Sequence, residues 1–142
     1  MPDPGNTLAA ATQLNLGATP QSFTDSVSST DTLDYYRLKL SGRSSFDLKL
    51  TGLSNDANVA LIRDVNSNGA VDSGETLFSS TNAGALAESI NLANLDAGIY
   101  YLQVSLGSES AVTNYTLGLS AQSQVQSSQV VDWKLQRNVI DW

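Results

Sequence analysis

From residue 21 to residue 121 apolar side chains fall at every second position in short runs, and between the runs Ser, Asn, Asp and Gly accumulate. A period of two is that of a strand with one buried face, so the pattern predicts an all-β protein. In "DYYRLKL" (34–40), Tyr36, Leu38 and Leu40 share one face, and Tyr35, Arg37 and Lys39 the other. "SFDLKLTGL" (45–53) repeats the alternation through Phe46, Leu48 and Leu50. The "LSGRSS" between them reads as a hairpin connection in which Gly42 supplies a positive φ. With "QSFTDSV" (21–27), "NVALIR" (58–63), "TLFSS" (76–80), "ESINL" (88–92), "GIYYLQVSL" (98–106) and "NYTLGLSA" (114–121), the total comes to about eight strands, enough for two packed sheets. Only "NTLAAATQL" (6–14) predicts a helix, and a short one.

After Ala121 the alternation gives way to "QSQVQSSQ", a polar stretch typical of a linker. The last residues, "VVDWKLQRNVIDW" (130–142), hold both tryptophans in a loose echo of Val-Asp-Trp and Ile-Asp-Trp. Three readings are open for them: a segment docking on its own domain, the start of a following module, or a self-association strand. The 142 residues suit one domain with a tail, so the expected division is a β-sandwich over 1–121 and a linker or tail over 122–142. No apolar run has the length to cross a bilayer, and "MPDPGNTLAAA" lacks the basic and apolar regions of a signal peptide. Met1 is therefore expected to stand at an internal boundary of a longer protein.

Charge narrows the partners. A net charge of −7 and a pI near 4.2 argue against nucleic acid and against an anionic membrane surface, both of which demand Lys and Arg. A divalent cation is the more natural partner. With no histidine and no cysteine, His-based triads, thiolate nucleophiles and ordinary zinc sites are excluded. Ser and Thr are plentiful, but no base of suitable pKa is apparent beside one, so the chain is expected not to be an enzyme.

The stretch "DVNSNGAVDSGE" (64–75) joins two strand-like runs and carries the spacing of a calcium loop. Calcium takes six to eight hard oxygens, and a twelve-residue loop supplies them from positions 1, 3, 5, 7, 9 and 12 with glycine at position 6. Counted from Asp64, the ligands are Asp64, Asn66, Asn68, the Ala70 carbonyl, Asp72 and Glu75, with Gly69 at the turn. The other reading is a long hairpin loop whose Asn, Asp and Gly serve turn geometry. That reading accounts for "NSNG" but not for carboxylates at the first, ninth and twelfth positions of one frame. Because Val59, Leu61, Thr76 and Phe78 look strand-like, the expectation is a calcium loop on a β-hairpin rather than between two helices.

The ordered set "DPGNTLAAATQL", "STDTLDYYRLKL", "FDLKLTGLSNDANVALI", "AGIYYLQV" and "NYTLGLSA" resembles the bacterial pre-peptidase C-terminal domain over about residues 3 to 121. The resemblance implies a jelly-roll-like antiparallel β-sandwich that accompanies secreted peptidases and other extracellular proteins and is itself non-catalytic. The chain is also similar to the collagen-binding domains of clostridial collagenases, whose N-terminal acidic segment and a later Asp-x-x-Asp pair share calcium. Carried over, this implies a second calcium site from Asp3 and Asn6 with Asp31 and Asp34, although "PDPGNT" is less acidic than the collagenase segment. The alternative is that Asp3 and Asn6 cap the short helix and Asp31 fixes a turn. Collagen binding would require an exposed aromatic strip, for which Tyr35, Tyr101 and Tyr115 supply rings whose shared face the spacing does not reveal.

Two non-enzymatic roles follow. One is a calcium-binding accessory module of a larger secreted bacterial protein, aiding export, folding or processing of its neighbouring domains. The other is a calcium-dependent binding or adhesion module for an extracellular polymer or protein, such as collagen or a polysaccharide. A secreted or extracellular location is expected for both, with no nucleic acid and no membrane among the partners.

Overall fold

In the computed structural model, which describes residues 4–107 and 112–123, nine strands form and no helix is present among the described residues. The strands are β1 (Thr12–Leu14), β2 (Gln21–Val27), β3 (Leu33–Leu40), β4 (Ser44–Thr51), β5 (Ala57–Ile62), β6 (Thr76–Ser80), β7 (Glu88–Leu95), β8 (Gly98–Leu106) and β9 (Thr113–Ser123). A five-stranded sheet in the order β1-β3-β8-β5-β6 packs on a four-stranded sheet in the order β2-β9-β4-β7. All neighbours pair antiparallel except β1 with β3.

Alternation explains the packing. Tyr36, Leu38 and Leu40 of β3, Val59 and Leu61 of β5, and Tyr100, Leu102 and Val104 of β8 meet the inward side chains of the second sheet. Those are Phe46, Leu48 and Leu50 of β4, Ile90 of β7, and Tyr115, Leu117 and Leu119 of β9. Fully burying each such side chain stabilises the fold by roughly 1.5–3 kcal/mol relative to leaving it in water.

Two local expectations are corrected. The segment 6–14 is not a helix: Ala10 N–H donates to Thr7 O at 3.2 Å and Ala11 N–H to Leu8 O at 3.3 Å, a single turn, after which β1 pairs parallel with β3 through Thr12–Tyr36 and Leu14–Leu38. A helix of that length is marginal in water, whereas a bend that buries Leu8 followed by β1, which buries Leu14, covers a sheet edge. Gly5 makes this approach feasible, since a Cβ there would stand 2.2 Å from Ala10 O.

The "LSGRSS" connection is likewise not a hairpin. β3 and β4 belong to different sheets, so residues 41–43 arch across the end of the sandwich, and Gly42 is not among the glycines with positive φ. β8 and β1 flank β3 while β9 and β7 flank β4, pairings that alternation within one segment does not encode.

One polar chain crosses the interior. Tyr115 OH donates to Asp34 Oδ2 at 2.5 Å, and Tyr36 OH lies 2.6 Å from Tyr115 OH. A phenol has a single proton, so with that of Tyr115 committed to Asp34, Tyr36 donates to Tyr115. Burial above all, and then the hydrogen bond to Asp34, push the Tyr115 phenol well above its ordinary pKa. The folded state thus holds a proton that the unfolded chain releases near pH 10. The associated stability is fully present below that pH and is lost as pH rises above it towards the raised folded value. Urea unfolding between pH 8 and 11 is expected to show stability falling above about pH 10, with a shallower fall in Tyr115→Phe. An unchanged slope in the variant would remove Tyr115 as the cause.

Candidate metal centre

The loop 64–75 connects β5 to β6, which pair antiparallel from Val59–Ser80 to Ile62–Thr76 with an irregularity after Leu61. It therefore sits on a β-hairpin. Positive φ angles at Ser67 (55°), Gly69 (75°) and Gly74 (85°) fold it back on itself, and at Gly69 and Gly74 the conformation is one that glycine adopts without strain.

The loop's polar atoms are engaged with one another. Asp64 Oδ1 accepts from Asn68 N–H at 3.3 Å, and Asp64 Oδ2 from Gly69 N–H at 2.9 Å. Asn66 Oδ1 accepts from Asn68 N–H at 3.2 Å, and Asn68 Oδ1 from Ala70 N–H at 2.9 Å. The amide nitrogens of Asn66 and Asn68 both donate to Asp72 Oδ2, at 3.0 and 2.6 Å. Glu75 differs from the rest: it is buried, its Oε1 accepts from Asp72 N–H at 2.8 Å and its Oε2 from Val65 N–H at 3.0 Å. Its carboxylate thus spans the loop from its second residue to its ninth.

All six residues expected as ligands lie in this one loop, and their donors are oxygens only, as a hard cation prefers. Among the described residues no three Asp, Glu, His or Cys side chains converge as a metal-binding group. A cation here would depend on the Asn66 and Asn68 amide oxygens and the Ala70 carbonyl as well as the carboxylates.

The residues expected at a second site are divided. Asn6 Nδ2, with its amide oriented towards its acceptors, donates to Asp31 Oδ1 at 2.7 Å and Leu33 O at 2.6 Å, so Asn6 and Asp31 are in contact. Asp31 also exchanges backbone hydrogen bonds with Ser28 across a turn, while Asp34 is buried and bonded through Oδ2 to Tyr115. Asp3 lies outside the described residues.

The three tyrosines do not form a strip. Tyr115 points into the core, Tyr35 is buried beside Leu8, and only Tyr101 of the three is partly exposed.

A family model described as the bacterial pre-peptidase C-terminal domain matches residues 32–106, more than half of the chain. The chain belongs to this family. Pre-peptidase C-terminal domains are non-catalytic accessory domains of secreted bacterial proteins. Among solved structures, the pre-peptidase C-terminal domain of a Bacillus anthracis collagenase superposes with a TM-score of 0.57 at 17% identity, over 78% of this chain and 92% of that one. A periplasmic inhibitor of g-type lysozyme from Aeromonas hydrophila superposes with a TM-score of 0.55 at 18% identity, over 78% and 96%. At such identities the likeness is one of fold. No curated protein sequence matches the chain.

Two buried or half-buried groups escaped the reading of the sequence as functional residues. Glu88 is buried at the start of β7, where its Oε1 accepts from Ser80 Oγ at 2.6 Å and Asn82 N–H at 2.9 Å, fastening the β6–β7 crossover. The signal was present in "ESINL", where Glu88 alternates in phase with Ile90. Arg63 stacks over the Tyr100 ring at 5.3 Å, a partner supplied by a strand far away in sequence.

Because Glu75 accepts two backbone N–H groups, its replacement by Gln turns one acceptor into a donor facing a donor. Glu75→Gln is expected to cost about 1–3 kcal/mol of stability even with chelator present. Urea denaturation in EDTA measures it, and an unchanged midpoint would show that the carboxylate does not hold the loop.

Proposed function

We propose that this domain is a calcium-binding, non-catalytic accessory module of a larger secreted bacterial protein, in which calcium on the 64–75 loop stiffens the β5–β6 hairpin and aids export, folding or processing of neighbouring domains. The observation carrying this reading is the oxygen donor set gathered on one hairpin loop, with Asp64, Asp72 and Glu75 contributing three formal negative charges and no Lys or Arg within the loop. Asp64, Asn66, Asn68, the Ala70 carbonyl, Asp72 and Glu75 would hold the ion. A bound calcium ion would supply positive charge opposite Asp72, whose Oδ2 accepts from the amide nitrogens of Asn66 and Asn68.

The accessory role is supported by the family and by the absence of an exposed aromatic strip among the described residues, which weighs against a collagen- or polysaccharide-binding face. With two neutral amides in the set, the expected affinity is modest, on the order of 10⁻⁵ to 10⁻³ M, as in extracellular modules. At a calcium concentration a hundred-fold above Kd, the folded state gains roughly 2.7 kcal/mol.

Calorimetric titration of the chelator-stripped protein, with melting temperature recorded in each state, tests the reading. Calcium is expected to bind and raise the melting temperature, and Asp72→Asn to weaken binding and shrink the calcium-induced rise, read against the variant's own melting temperature in chelator. Binding that survives Asp72→Asn undiminished would move the ion to Asn6 and Asp31. No heat and no shift at millimolar calcium would overturn the metal and leave a self-bonded hairpin loop.

A further inference from the structure

Asn68 is the only asparagine of the chain that is followed by a glycine, and both residues are exposed in the loop 64–75. Such a pair can react with itself. The main-chain nitrogen after an asparagine can close on the side-chain carboxamide carbon, and a side chain on that next residue crowds the approach. Glycine removes the crowding. At Gly69 no atom from beyond its chain neighbours lies within 4 Å of where a Cβ would stand, and the φ of 75° turns the chain sharply there.

The carboxamide is already folded back along the chain. Asn68 Oδ1 accepts from Ala70 N–H at 2.9 Å, and the ring closed by that hydrogen bond contains the Gly69 nitrogen, so nucleophile and carboxamide share one turn. The same N–H steadies the negative charge that Oδ1 gains under attack. Asn66 supplies the comparison: its Oδ1 likewise accepts from two residues on, Asn68 N–H at 3.2 Å, but Ser67 follows it. Two contacts oppose the step at Asn68. Gly69 N–H donates to Asp64 Oδ2 at 2.9 Å, and Asn68 Nδ2 to Asp72 Oδ2 at 2.6 Å. Both bonds are exposed, so they open without unfolding of the sandwich.

We propose that Asn68 modifies itself: hydroxide takes the Gly69 N–H proton, the nitrogen forms a bond to Asn68 Cγ, and the Cγ–Nδ2 bond breaks as water returns a proton and ammonia leaves. Water then opens the succinimide, at Cγ to give aspartate at position 68 or at the main-chain carbonyl carbon to give an isoaspartyl link. Either way water is consumed, ammonia is released and a carboxylate replaces the amide. The conversion needs no metal. Its consequence for one rests on the calcium reading above: aspartate at the loop's fifth position offers a charged ligand oxygen, whereas isoaspartate adds a carbon to the main chain and spoils the frame.

The test keeps the full chain in chelator, in warm and mildly alkaline buffer, beside a capped peptide of residues 64–75. Samples taken over time are cut with a protease specific for the bond before aspartate. Fresh protein yields residues 64–71 as one fragment, because the next aspartate after Asp64 is Asp72. With time this fragment is expected to take on the mass of an acid at residue 68; aspartate there adds a cut, and isoaspartate gives the acid mass without one. The folded chain is expected to convert within about a hundredfold of the peptide's rate, the factor that opening two exposed hydrogen bonds costs. Asn68→Gln, whose longer side chain cannot close the same ring, is expected to leave the fragment uncut and in amide form. A slower rate marks reaction from the unfolded chain alone, about one molecule in a thousand or fewer, and overturns the proposal. Acid that appears first at Asn66, or that persists in Asn68→Gln, overturns it as well. With calcium absent throughout, failure of the conversion and failure of calcium to bind are separate results.

Discussion

A dry interior between two sheets is the constraint on which the rest of this structure depends. Side chains on alternate positions of β3, β5 and β8 must meet those of β4, β7 and β9, and a slip of one residue in any pairing would exchange core for solvent along a whole strand. The chain Tyr36–Tyr115–Asp34 sharpens that constraint, because a hydrogen bond between sheets fixes distance and direction where apolar contacts fix only burial. β3 and β9 are thereby held in one mutual position. The loops at the ends of the sandwich need only close it, and this frees the β5–β6 connection to grow into a long polar loop.

What the sequence made legible follows the same physics. Period-two alternation marks a half-buried strand wherever it occurs, so the strands from β2 onward, and the hairpin bearing the loop, could be read in advance. Sheet membership could not, because whether Leu40 and Phe46 belong to a hairpin or to opposite sheets depends on partners distant in sequence. The segment before residue 15 misled for a related reason: Ala-rich local propensity is weak, and the open edge of β3 offered backbone partners that a short helix lacks. The tyrosines show the same limit. Tyr115 alternates like any core residue, but its role in the Asp34 chain needed a contact 81 residues away.

Within the loop the frame was readable and its mechanics were not. Spacing marks Asp64, Asn66, Asn68, Ala70, Asp72 and Glu75 as candidates within one calcium-loop frame, because such a frame is a property of sequence. That Glu75 is buried and accepts N–H groups from both Val65 and Asp72 is a property of the folded hairpin. Glu75 therefore holds the loop's shape through its own hydrogen bonds, whatever else the loop binds.

β6 forms one edge of the larger sheet, and its five residues, Thr-Leu-Phe-Ser-Ser, include no charge and no proline, with Leu77 and Phe78 exposed. Edges of that kind invite a foreign strand, and proteins ordinarily keep such strands apart with charge. Here the charge stands just upstream, in the three carboxylates of the loop. Charge that keeps molecules apart is thus lent to the edge by its neighbour rather than built into it, and concentrated salt, which screens those carboxylates, lowers the barrier between one molecule's edge and the next.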